Sequence, residues 1–253
     1  IVLSYLKSWN VLINNKIHIQ LFRGALGLMC GLIIVNSFQN HSLTEIYPIL
    51  FSTPLILTIF SHFFLKEKIG LQRIVAVLFG FIGVLIVSRP GTIHFTWSLF
   101  GLFIAAIILA TNVIIIRKLA NTQSSLAFAF YGTVSGLILS FIFGNQYFIP
   151  LREDDFLIFI ICGIFGGLGA LSISGASKIL ESSIFAPLQY IQLVFGFILG
   201  YLFFKDLPDS YEIFGSIIII LSGLFIIYKE SKIGIRPFIN KNSRIRDLFF
   251  RGH

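Results

Sequence analysis

Polar and apolar residues do not alternate along this chain, nor do apolar ones recur at every third and fourth position. They come in blocks. Eight blocks approach or reach the ~20 residues that a helix needs to cross a bilayer core. They are Leu21–Phe38, Ile46–Leu65, Ile69–Val87, Trp97–Ile116, Leu126–Phe143, Phe156–Ala176, Ile184–Phe204 and Tyr211–Tyr228. A run such as Ile74–Val87 (IVAVLFGFIGVLIV) has no period of two, which argues against the strands of a membrane barrel. The pattern predicts eight full membrane-spanning helices in an all-α, polytopic bundle. Charged residues inside these limits (Arg23, Arg73, Glu212) fall near the ends, and the links of 3–12 residues leave no room for a soluble domain.

Composition agrees. Mean hydropathy is +0.92, with 56% hydrophobic and 12% charged residues, whereas a soluble domain carries about 25% charged residues. A soluble globule could not bury this much apolar surface, and 2 Cys cannot build a disulfide scaffold. Charge orients the bundle. Sixteen Lys and Arg lie before the first span, after the second, fourth and sixth, and in the tail. Three (Arg89, Arg152, Lys205) lie on the other side. Basic loops stay cytoplasmic, so the C-terminus is expected inside a cell inner (plasma) membrane. The net charge of +8 is then a topology signal, and a nucleic-acid partner is not expected. The basic tail, 229–253, reads as a solvated flank or as a surface helix docking Leu248, Phe249 and Phe250 on anionic lipid.

The chain also resembles itself. Ile46-Tyr47-Pro48 leading to Phe64-Leu65-Lys66-Glu67 matches Phe185-Ala186-Pro187 leading to Phe203-Phe204-Lys205-Asp206, 139 residues further on. Spans one to three thus correspond to spans six to eight. Corresponding spans are five apart, an odd number, so the copies face opposite ways across the membrane. The Lys66–Arg73 link carries a net +2 and the Lys205–Glu212 link a net −2. That is the mark of an inverted repeat, an architecture of secondary transporters. The expected organisation is residues 1–20 as the stump of a preceding helix plus a cytoplasmic link, 21–95 as the remainder of the first repeat, 96–228 as the second, and 229–253 as the tail. Ile1–Leu6 reads as that stump, or as a frayed end. The repeat implies ten helices in all, two of them before Ile1.

Taken together, Phe22-Arg23-Gly24, Phe63-Phe64-Leu65-Lys66-Glu67, Gly80-Phe-Ile-Gly83-Val84, Ala186-Pro187-Leu188-Gln189-Tyr190 and the stretch from Gly200 to Pro208-Asp209 resemble the drug/metabolite transporter superfamily in its EamA-type branch. The resemblance covers about Leu21 to Lys229. It implies an inner-membrane carrier of small metabolites with a central cavity between the halves. Within the branch, Pro187–Tyr190 and Pro208-Asp209 look most like S-adenosylmethionine uptake carriers.

Polar groups in hydrocarbon tend to face protein or a water-filled path. Asn112, Tyr131, Gln189, Tyr190 and Gln192, with Ser52 and Thr53, are the cavity candidates. Any single Ser or Thr can equally bond the carbonyl one turn back. The third and eighth spans carry almost no polar residues and are expected to face lipid or a partner. Pro48 and Pro187, near the starts of equivalent helices, either begin them or kink them, and Pro54 is the stronger kink candidate. Gly27/Gly31, Gly132/Gly136, Gly163/Gly167 and Gly196/Gly200 have the spacing of close helix packing.

No metal ligands, cofactor or catalytic residues are expected. The five His have no ligand spacing, and no Asp or mid-span Glu could serve an intramembrane enzyme. A carrier of a small-molecule substrate in the lipid bilayer is the leading reading. A channel or a non-transporting remnant are the alternatives, and whether the chain forms a homodimer is open. Without a mid-span carboxylate to carry a proton, facilitated diffusion or exchange is expected.

Overall fold

The computed structural model describes residues 16–41, 43–67, 69–88, 97–120, 122–144, 155–205 and 209–233. The stump 1–6, the tail beyond 233, Arg89, Arg152, Asp206 and Pro208 lie outside them. The described residues form ten α-helices and no strand: α1 (Ile17–Asn40), α2 (Leu43–Leu50), α3 (Thr53–Leu65), α4 (Leu71–Ser88), α5 (Trp97–Lys118), α6 (Ser125–Gly144), α7 (Phe156–Ile179), α8 (Ser182–Leu188), α9 (Ile191–Phe204) and α10 (Ser210–Ile233). A helix satisfies its own backbone, which is why apolar blocks take this form in lipid. Four helices (α1, α5, α6, α7) are long and apolar enough to cross a membrane, and Thr53–Leu65, Leu71–Val87, Ile184–Gly196 and Ser210–Phe225 are shorter apolar helical stretches. Hydroxyls inside the helices bond one turn back, as Thr111 does to Ile107 O (2.7 Å), Thr133 to Ala129 O (2.9 Å) and Ser172 to Leu168 O (2.9 Å).

Two of the eight expected spans are not continuous. The second is α2 and α3 separated at Phe51–Ser52, and the seventh is α8 and α9 separated at Gln189–Tyr190. Both longer pieces end on a lysine in the left-handed region, Lys66 (φ 57°) and Lys205 (φ 62°), the only non-glycine residues of positive φ among those described. Such an ending usually takes Gly. Here the backbone closes it: Lys66 N–H donates to Ser61 O and Lys205 N–H to Tyr201 O.

The chain divides into two compact units. The first holds α1 as far as Met29, the end of α5 from Ile115, α6 and α7. A small cluster of Ile116, Leu119 and Phe128 lies at its centre. Around it run buried and half-buried polar contacts: Arg23 Nε donates to Gln20 Oε1 (3.1 Å), a second Arg23 nitrogen donates to Phe128 O, and the Gln20 amide donates to Gln123 Oε1. Lys178 Nζ donates to Gln123 O (2.7 Å) and Arg117 to Lys178 O. The first turns of α7, Phe156–Phe165, are exposed all round, the pattern of a surface bathed by lipid.

The second unit holds the rest of α1, α2–α4, α5 as far as Ile114, and α8–α10. Its core includes Phe51, Leu57, Val77, Val84, Ala186, Tyr190 and Ile219. The third and eighth expected spans, α4 and α10, pack on each other here along one face, a contact within the chain that the expectation of a lipid- or partner-facing pair did not include. A Cβ on Gly83 would sit 2.9 Å from Gly215 O, and one on Gly215 would sit 2.8 Å from Gly83 O. The contacts Gly80 to Ser222, Gly83 to Ile219 and Val87 to Gly215 show that the two helices run antiparallel. Scarcity of polar residues could not separate a lipid-facing helix from one packed through glycines. The outward faces, with Phe79, Ile82, Phe214 and Leu221, remain exposed. Of the glycines expected at interfaces, Gly27, Gly31, Gly136, Gly163, Gly167 and Gly196 would meet nothing within 4 Å, and Gly132 faces Arg23. Close approaches within the chain fall instead at Gly24, against Ser135, and at Gly80, Gly83 and Gly215.

Candidate functional site

The two interruptions in the second unit are where backbone and polar side chains coincide. At the first, Pro48 lies inside α2 and Pro54 in the first turn of α3. Pro54 has no N–H, so Leu50 O loses its helical donor. The neighbouring Thr53 Oγ1 donates to it at 2.6 Å, and Ser52 Oγ donates to Ile49 O at 2.5 Å. Thr58 Oγ1 returns to Pro54 O at 2.8 Å. The hydroxyls of this break are used on its own backbone.

The second interruption follows Pro187, which lies inside α8. The chain passes through it on tight bonds of three-residue reach: Gln189 N to Ala186 O (3.2 Å), Tyr190 N to Pro187 O (3.3 Å), Gln192 N to Gln189 O (3.3 Å) and Leu193 N to Tyr190 O (3.1 Å). This local 3₁₀-like winding turns Tyr190 fully into the core, 0% exposed. Its ring lies 6.2 Å from that of Phe51, at the other break, with the planes inclined by 47°. It also presses on α4 at Gly80, where a Cβ would come within 2.5 and 2.7 Å of two ring carbons. Only glycine leaves that seat open.

Four side-chain polar atoms in this unit are buried without a hydrogen-bond partner among the described residues: Tyr190 OH, Gln189 Nε2, Asn112 Oδ1 and, at the start of α8, Ser182 Oγ. Each such atom costs roughly 1–3 kcal/mol. An arrangement that tolerates several of them suits a ligand or water that supplies the missing partners.

Tyr190 and Phe51 meet in one core with Val113, the chain neighbour of Asn112. Gln192 lies on an exposed face of α9. Tyr131 belongs to the first unit, half-buried on α6 beside Phe130 at 5.5 Å between ring centres. Sequence reasoning passed over Phe51 and read Gly80 only as part of the family resemblance. Phe51 is hidden among 29 phenylalanines, while the Gly80/Gly83 pair was a usable sign of a helix pressed by a bulky neighbour. It also passed over an ion pair, Arg73 Nη1 to Glu181 Oε2 at 2.5 Å, between α4 and the residue before α8.

A family model described as the EamA-like transporter family matches residues 1–89 and 96–228. An S-adenosylmethionine uptake transporter of Rickettsia felis is 32% identical over 182 residues, covering 72% of this chain and 62% of that protein. Solute carrier family 35 member G1 of Mus musculus is 28% identical over 217 residues, covering 79% of this chain and 59% of that one. The chain thus spans about three-fifths of the length of the curated relatives it matches. A solved crystal structure superposes with TM-score 0.75 at 14% identity, over 92% of this chain and 83% of its own. That likeness shows a shared fold.

Proposed function

The chain belongs to the EamA-like transporter family of multi-pass membrane proteins, and on that premise we propose that it moves S-adenosylmethionine across the cell inner membrane by alternating access. The observation that carries the reading is the pair of unsatisfied groups, Gln189 Nε2 and Tyr190 OH, at a helix break. The substrate has a matching chemistry. Its sulfonium is a cation that favours an aromatic face, which Tyr190 and Phe51 supply, and its adenine and amino-acid ends carry donors and acceptors for Gln189 and Asn112. The relative named for the same substrate supports the choice.

Alternating access rests on the inverted repeat. Matched breaks, left-handed lysine ends 139 residues apart (Lys66 to Lys205) and the antiparallel course of α4 and α10 all support it. The α4–α10 contacts are themselves symmetric: shifting Gly80–Ser222 by 139 turns it into Ile219–Gly83, and both contacts are present. The charge asymmetry supports a cytoplasmic Lys66–Arg73 link and C-terminus. Cysteines at Gly70 and Asp209 should therefore label from opposite faces, and labelling from one face would end the inverted-repeat reading.

The direct test is counterflow. Vesicles holding the full-length protein and loaded with unlabelled S-adenosylmethionine should accumulate labelled substrate above its external level. A channel would equilibrate without overshoot. The demethylated analogue, which lacks the sulfonium charge, should compete more weakly. If coupling rests on the eight spans of this sequence, which hold no mid-span carboxylate, the overshoot should survive collapse of a proton gradient. Failure of S-adenosylmethionine to drive counterflow would overturn the substrate assignment.

A further inference from the structure

The two ends of the repeated element are built differently. At one end the short helix α8 lies against α3, α4 and α10. Two cross-links fasten it there: Arg73 on α4 pairs with Glu181 at 2.5 Å, and Glu67, just past α3, accepts a hydrogen bond from Ser182 N at 3.1 Å. The Arg73 side chain is 10% exposed and that of Glu181 34%, so the pair is partly shielded from solvent. At the other end the counterpart helix α2 lies against α4, with no comparable packing on α9 or α10 among the described residues.

The sequence encodes this difference. Shifted by 139 residues, Arg73 becomes Glu212, and Glu181 corresponds to Ser42. No ion pair can form between that pair. Glu212 is instead turned onto its own helix, where Oε2 accepts from Asp209 N at 2.8 Å and Asp209 Oδ1 accepts from Glu212 N at 2.9 Å, a capping box.

We infer that Arg73, Glu181 and Glu67 form a clasp that shuts one end of the transport path, and that the form described is closed at that end. The inference rests on the carrier reading but names residues that reading does not use. The clasp joins α4 to the start of α8, the short helix that leads to Gln189 and Tyr190. Opening that end must part Arg73 from Glu181 and lift Glu67 from Ser182. At the opposite end the positions of Arg73 and Glu181 are taken by Glu212 and Ser42, which cannot form an ion pair, so its closure must rely on other contacts. The three residues are positioning residues: they set which end is shut rather than touch substrate.

The test reads access without requiring flux. In full-length protein with Cys30 and Cys162 replaced by Ser, a cysteine is placed at Ser61, which is fully buried on α3 one turn before the clasp. It is labelled with a small methanethiosulfonate in permeabilised membranes. Arg73→Ala and Glu181→Gln should each speed labelling at least five-fold, and the exchange Arg73→Glu with Glu181→Arg should bring it back towards the parent rate. Glu212→Gln should leave the rate unchanged, as should Arg73→Ala for a reference cysteine at Gly70. Unchanged Ser61→Cys labelling in both single variants, or no reversal in the exchanged pair, would overturn the clasp. Size-exclusion profiles identify any variant that fails to fold, and Glu181→Gln, which keeps shape and polarity, carries the test if Arg73→Ala does. Normal counterflow with unchanged labelling would sink the clasp alone, while altered labelling without any counterflow would sink the carrier reading alone.

Discussion

The two interrupted helices share a backbone device and differ in what their side chains do with it. At Phe51–Ser52 the hydroxyls of Ser52 and Thr53 cover carbonyls that Pro54 and the turn leave open, and that break is chemically closed. At Gln189–Tyr190 the amide nitrogen and the phenol have no protein partner among the described residues. Repetition of a fold therefore does not repeat a site. One copy uses its polar residues to hold the bend, while the other leaves polar atoms buried and unpaired. A dipeptide of Gln and Tyr against one of Ser and Thr makes the difference, because short hydroxyls reach their own backbone and long polar side chains reach past it.

The largest effect should come from removing the ring the two breaks share. Tyr190→Ala vacates a fully buried site in contact with Phe51 and the Gly80 seat. A loss of about 3–5 kcal/mol is expected for such a deletion, seen as a much lower unfolding midpoint in detergent and loss of uptake. Phe51→Leu should cost less, about 1–2 kcal/mol. Equal and small effects of the two would mean that Tyr190 is not the centre of this core.

Next in size is the frame that relates the two breaks. Gly83→Ala drives a methyl onto Gly215 O, where the neighbour is backbone and cannot swing aside. Overpacking of about 1–3 kcal/mol is expected, whereas Gly163→Ala, with open space around it, should stay within about 0.5 kcal/mol of the parent. Comparable losses at both positions would remove the argument for a tight α4–α10 contact.

Much of this fold was legible in the sequence, because apolar block length alone dictates helices in lipid. The breaks were only partly so. The apolar pattern runs straight through Phe51 and Leu188, and although Pro54 read as the stronger kink candidate, Pro48 and Pro187 are each compatible with an ordinary helix start. Lysine at a left-handed helix end was equally hidden, since sequence reasoning looks for Gly there. Gln189, Tyr190 and Asn112 were legible as costly groups to bury, but nothing local said that they would be unpaired while Ser52 and Thr53 would not. The pairing of Arg73 with Glu181 joins residues 108 apart, a distance over which periodicity carries no information.

The sharper contrast between the breaks is in binding. Gln189→Leu and Tyr190→Phe remove unsatisfied groups, so the unliganded protein should be unchanged or up to about 1 kcal/mol more stable. Their affinity for S-adenosylmethionine should fall about ten-fold, the equivalent of ~1.4 kcal/mol. Thermal unfolding with and without ligand measures both. Destabilisation without any change in affinity would mark these groups as structural.

The smallest effect concerns the closed break and decides whether it is closed for the reason given. Thr53→Val keeps the shape but strips the hydroxyl that serves Leu50 O, leaving a buried carbonyl short of a donor at a cost of about 1 kcal/mol. Pro54→Ala restores a backbone N–H four residues after Leu50, the donor that a continuous helix would use. In that background Thr53→Val should cost distinctly less, giving a coupling of about 0.5–1 kcal/mol in a double-mutant cycle. Affinity for S-adenosylmethionine should be the same in all four proteins, because the hydroxyl faces its own backbone rather than the path. If Thr53→Val instead weakens binding as much as Gln189→Leu does, both breaks touch the substrate and the contrast between them fails.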